Sequence, residues 1–109
     1  MKIKVMADYL SSGIWDVDTQ EMLCAHSLGL SEEIQKELES FNAFYEKCDD
    51  WKPVEDRKQD FDFKLLDKMA EKIASLIKKE NPAWEVYFFR EELLKSDKES
   101  EEGYLSKID

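Results

Sequence analysis

Histidine is almost missing from this 109-residue chain: His26 stands alone. Acid–base chemistry near neutral pH therefore has one natural candidate, and no nucleophile with an orienting acid accompanies it in a recognisable motif. Ser27 adjoins His26, but sequence neighbours rarely face each other productively. No GxxxxGKS/T, GxGxxG or HExxH run is present, so the common phosphate, dinucleotide and zinc-hydrolase signatures are absent. Cysteine is scarce too. Cys24 and Cys48 have no CxxC spacing, and a metal site on Cys24 and His26 would need two further ligands, Cys48 and a carboxylate being the available ones. The reading is two small, reduced, partly buried thiols, with no metal and no cofactor. Asp16-Val17-Asp18 runs on into Thr19-Gln20-Glu21 without the glycine of a calcium loop. Three glycines and two prolines are too few for a turn-rich sandwich or barrel. No apolar run approaches the ~20 residues that span a bilayer, which leaves the membrane out as a partner. Lys2 and Lys4 alternate with Ile3 and Val5 where a signal peptide would carry an apolar core, so the chain is predicted to be cytoplasmic.

What the chain has is acid. Twenty-six Asp and Glu oppose sixteen Lys and Arg, a net charge of -10, while a hydrophobic share of 42% and an aromatic share of 12% are those of a folded globule. The stretch 63–80 runs the other way, with Lys64, Lys68, Lys72, Lys78 and Lys79 against Asp67, Glu71 and Glu80. The negative charge thus lies in the loops, the first helix and the tail. Such a field repels nucleic acid and attracts basic proteins.

Residues 2–7 alternate as a half-buried strand, and 84–89 (Trp84-Glu85-Val86-Tyr87-Phe88-Phe89) form the clearest strand, with partial cover on both faces. Ser11-Ser12-Gly13 is a turn, after which 14–17 can return as a third strand; Asp16 and Asp18 count against it. Ser31 is a good N-cap with Glu32 and Glu33 behind it and Leu30 as a staple, and Ile34, Leu38, Phe41, Tyr45 and Cys48 make one apolar stripe over 31–48. A second helix over 62–79 carries Leu66, Met69, Ala70, Ile73, Ala74 and Ile77, widened by Leu65 and Leu76, and stops at a left-handed Asn81 before Pro82. The predicted fold is α+β: a two- to three-stranded sheet with both helices on one face. Residues 1–94 form one domain and 95–109 an acidic, mobile tail.

Carboxylate pairs are unavoidable in this composition, and helical aromatics such as Phe41, Phe44 and Tyr45 read as core. Trp15 and Trp51 differ, because each sits among acids outside the apolar stripes. They read either as caps on the ends of the core or as interface anchors, apolar bodies with charged rims. The candidate partner-binding set is Trp15, Asp16, Asp18, Glu21, Asp49, Asp50, Trp51, Glu55 and Asp56, from two loops that must lie close in space to act together.

Three runs carry a resemblance: Ile3-Lys4-Val5-Met6-Ala7-Asp8-Tyr9, Ser11-Ser12-Gly13-Ile14-Trp15-Asp16 and His26-Ser27-Leu28-Gly29-Leu30-Ser31. With looser similarity through residue 90, the chain resembles immunity proteins of contact-dependent inhibition and related polymorphic toxin systems. The resemblance implies a cytoplasmic, non-enzymatic inhibitor that binds the C-terminal domain of a cognate toxin, many such toxins being nucleases with basic clefts. It supplies no binding motif, so no residue role is carried across. Two other classes stay open: an enzyme or small-molecule binder using the segment around His26, and a DNA mimic, for which the clustered, lysine-interrupted acids are poorly spaced.

Overall fold

Ile3 and Val5 alternate with Lys2 and Lys4, and that short pattern seeds the centre of the sheet. In the computed structural model the described residues are 1–8, 10–47, 62–91 and 105–108. Strand β1 (Lys2–Val5) pairs in parallel with β3 (Glu85–Phe89), Ile3 opposite Val86 and Val5 opposite Phe88. All four of these side chains are buried. Parallel neighbours need a crossover between them, and it contains strand β2 (Ile14–Asp16) and helices α1 (Glu32–Glu46) and α2 (Phe63–Glu80). β2 runs antiparallel along the other side of β1, Val5 opposite Ile14 and Lys4 opposite Trp15. A fourth strand, β4 (Leu105–Lys107), pairs antiparallel with β3, giving the order β2-β1-β3-β4.

The class is α+β, as the sequence predicts, with one strand more than expected. β4 lies in the segment read as tail. Three residues following an acidic run have no periodicity of their own, and their place is set by β3: Ile108 N–H donates to Val86 O at 2.8 Å, and its side chain packs on the core.

Both helices start as their caps dictate. Ser31 Oγ accepts from Ile34 N–H at 3.3 Å, with Glu32 and Glu33 in the first turn, and Asp62 Oδ1 accepts from Leu65 N–H at 2.9 Å. The buried stripe of α1 is Ile34, Leu38, Phe41 and Tyr45; that of α2 is Leu66, Ala70, Ile73, Ala74 and Ile77. Leu65 is 45% exposed and lies outside the stripe it was expected to widen. Asn81 ends α2 without the left-handed geometry expected of it: its φ is -134°, and its backbone N–H holds Ile77 O at 2.9 Å. The layering also differs from the expectation. α2 lies across β1 and β3, whereas α1 packs chiefly on α2.

On the face turned away from α2, the register sets Trp15, Lys4, Tyr87 and Lys107 in a row. Lys4 is 7% exposed, its Nζ donating to Gln20 Oε1 at 2.8 Å. Glu85 lies near Lys107 (3.3 Å) and Lys2 (3.9 Å), and chiefly the Lys107 ammonium holds its carboxyl below the ordinary glutamate range.

Ile73 is wholly buried where α2 meets the sheet. Ile73→Ala is expected to cost about 2–5 kcal/mol in urea unfolding, and Leu65→Ala about 0.5 kcal/mol or less. Equal losses would show that α2 does not pack through this stripe.

Candidate partner-binding site

The β2 edge of the sheet is built by two turns. Gly13 has φ +88°, and a Cβ there would stand 2.9 Å from Asn42 Oδ1 and 3.1 Å from Leu38 Cδ2. Glycine is required on both counts, because other residues are strained at that φ and because α1 leaves no room. Beyond β2, Asp16 Oδ1 accepts from the N–H groups of Asp18 and Thr19, each at 2.9 Å, and Asp16 N–H donates to Glu21 O at 2.9 Å. The chain reverses and returns beside β2: Met22 bridges Trp15, and Leu23 N–H donates to Ile14 O at 2.9 Å.

The four predicted site residues in this region therefore lie together, in different roles. Asp18 and Glu21 are exposed, and neither carboxylate has an ion-pair partner among the described residues. Asp16 is half-buried and builds the turn. Chiefly the Thr19 N–H, helped by that of Asp18, pulls its carboxyl below the ordinary aspartate range, so it stays ionised while holding the loop. Trp15 belongs to β2, half-buried, with its indole N–H donating to Met6 O at 2.9 Å. Asp49, Asp50, Trp51, Glu55 and Asp56 lie outside the described residues.

Sequence reasoning missed the cleft beside this turn. It encloses about 380 Å³, with Met22, Leu23, Cys24 and His26 on one side and Leu38, Glu39 and Asn42 of α1 on the other. Met22 is 55% exposed. Cys24 is exposed, not partly buried as expected, because it opens the turns that run to Gly29. Its thiol is lowered chiefly by the Ser27 N–H, then by the Ser27 hydroxyl and the His26 N–H. No group of three or more His, Cys, Asp or Glu among the described residues is placed to hold a metal ion. The only sequence signal for the cleft was Met22, an apolar residue in a polar segment. At the opposite edge of the sheet, a larger groove of about 510 Å³ between α2 and β3–β4 is lined by Lys64, Lys68, Arg90 and Lys107 with Asp67 and Glu71. The site edge is thus acidic and the far edge carries basic groups. No described helix is long and apolar enough to cross a membrane.

A family model described as Serratia CdiI immunity protein-like matches residues 1–91. No curated protein and no solved structure matches the chain.

The Asp16 turn has a pH signature. Its carboxyl is lowered on folding, so the stability it contributes is fully present above the ordinary value of 3.8 and is lost as pH falls through the lower folded value. Asp16→Asn keeps an acceptor but not the charge, and is expected to shallow the acid limb of the thermal unfolding curve below that value. Superimposable acid limbs for the two proteins would remove the carboxylate from the turn.

Proposed function

The chain belongs to the Serratia CdiI immunity protein-like family, and we propose that it is a cytoplasmic antidote that holds a basic, nuclease-type toxin domain in a stoichiometric complex. Membership over residues 1–91 carries this reading: an immunity protein of contact-dependent inhibition acts by binding its cognate toxin.

The finer proposal concerns how it binds. A nuclease domain presents a basic path for its substrate, and a chain of net charge -10 is attracted to it from beyond contact distance. Steering of this kind lifts association toward about 10⁸–10⁹ M⁻¹s⁻¹ at low salt, while release depends on what is buried at the contact. The Asp16–Glu21 turn supports the reading because Asp18 and Glu21 project unpaired charge from a backbone that is already rigid. Little ordering cost then falls on binding. Trp15 and Met22 lie behind those acids and supply apolar surface at the centre of a charged rim. The chain itself carries out no reaction in this scheme; it covers the toxin's active site or its substrate path. Asp49, Asp50, Trp51, Glu55 and Asp56 are proposed to widen the same acidic surface.

The test is a binding titration with the C-terminal domain encoded immediately upstream of this gene, at about 0.1 M and about 1 M salt, where the Debye length falls from about 10 Å to about 3 Å. The expected result is a one-to-one complex with nanomolar Kd, weakened at high salt mainly through slower association, and protection of cells expressing that domain. Asp18→Lys with Glu21→Lys should slow association more than it speeds release. Absence of any complex would refute the immunity reading; a complex indifferent to salt and to these charge reversals would refute the steering.

A further inference from the structure

One polar atom in the cleft is left without a partner by the fold. Asn42 Oδ1 is buried and accepts no hydrogen bond, and the rest of that amide has no partner among the described residues either. Buried acceptors are normally satisfied, because leaving one bare sacrifices its hydration for nothing. Asn42 is held there by close packing, since Oδ1 lies where a Cβ on Gly13 would stand.

The surroundings define what would satisfy it. Glu39, one helical turn away on α1, lines the same cleft, and its carboxylate is unpaired among the described residues. Gln35 has its Nε2 committed to Leu30 O at 2.9 Å, which leaves its carbonyl as a further acceptor. Opposite stand the exposed thioether of Met22 and the side chain of Leu23. The cleft thus offers acceptors on one side and apolar surface on the other. An apolar occupant would leave the acceptors bare, and an anion would meet Glu39. A cationic side chain with a long aliphatic stem fits both walls. Arginine fits better than lysine, because its planar fork brings several donors to separate acceptors at once.

We propose that this cleft receives an arginine of the cognate toxin domain, its stem against Met22 and Leu23 and its guanidinium donating to Asn42 Oδ1 and the Glu39 carboxylate. The proposal rests on the immunity reading and deepens it: the acidic turn beside the cleft draws the basic surface in, and the recess decides which surface fits. Fold and complex then want different things from residue 42. The fold gains nothing from an amide it cannot satisfy, whereas the complex gains a buried charge-assisted hydrogen bond.

The decisive variants are Asn42→Ala, Glu39→Gln and Met22→Lys, each titrated against the upstream-encoded toxin domain and each unfolded thermally. Asn42→Ala is expected to weaken binding by about tenfold or more while its unfolding midpoint stays or rises. Met22→Lys should weaken it as well, by placing a cation at the mouth of the recess. A double-mutant cycle between Asn42→Ala and arginine-to-alanine changes on the toxin should find one arginine whose loss is not additive with that of Asn42. Several outcomes would overturn the proposal. If the native chain binds and Asn42→Ala and Glu39→Gln bind within about twofold of it, the recess is unused although immunity stands. If Met22→Lys abolishes binding while Asn42→Ala does not weaken it, the occupant is apolar. If Asn42→Ala lowers the midpoint and binds weakly only in proportion to the unfolded fraction, Asn42 is structural. If the native chain does not bind at all, the immunity reading fails and takes the recess with it.

Discussion

The parallel pairing of β1 with β3 is the constraint on which the rest of the molecule depends. Ile3 against Val86 and Val5 against Phe88 join opposite ends of the family-matched region, and that contact buries four side chains beneath α2. Because the strands run the same way, everything between them must cross over the sheet. The crossover carries the two amphipathic helices, whose apolar stripes need a surface to cover. α2 takes the surface over β1 and β3, and α1 takes the flank of α2. This arrangement closes late: its defining contact waits until α1 and α2 have both been brought in, and such non-local pairing folds more slowly than a helical bundle of equal size.

That topology also decides where binding residues can stand. The inner strands have neighbours on both sides, so exposed backbone and loops fall to the edges. At the β2 edge, a turn made by one carboxylate and a turn made by one glycine set the acidic segment and the wall of α1 beside each other. The acids there come to be fixed in position, which separates them from the acids of a flexible polar tract. Charge at a distance governs how often two proteins meet, and the shape of a rigid rim governs how long they stay together.

Much of this was legible in the residues. The spacing of Ile34, Leu38, Phe41 and Tyr45, the caps Ser31 and Asp62, and the alternation in β1 and β3 are local patterns, and each produced the element it implies. The elements and features that escaped are those set by distant partners. β4 is three residues long and is defined by Tyr87, Phe88 and Phe89 across from it. α1 was expected on the sheet because an apolar stripe says how much surface must be buried and not against what. The cleft could not be foreseen because it forms between a loop and a helix whose meeting is arranged by Gly13. Asn42 lies next to Phe41 in sequence but just off the buried stripe, and nothing local marks its carbonyl as one that will be enclosed. Cys24 was misjudged for a related reason: its exposure depends on the direction the chain takes after Met22.

Gly13 and Asn42 together show how a cost to the fold and a use in the complex can arise from one contact. The turn at residue 13 must approach α1 closely for β2 to lie along β1, and only a glycine can sit there. That closeness shields Asn42 Oδ1 from water and offers it no donor in exchange. A smaller apolar residue at 42 would relieve the penalty, so on stability alone the asparagine is the poorer choice. An unsatisfied group of this kind is more discriminating than a satisfied one, because a partner lacking the matching donor leaves it unsatisfied and a partner supplying the donor gains the whole difference. Immunity proteins must distinguish their own toxin from others of the same charge. Net charge draws in every basic domain alike, and a fixed acceptor beside an apolar wall can tell them apart.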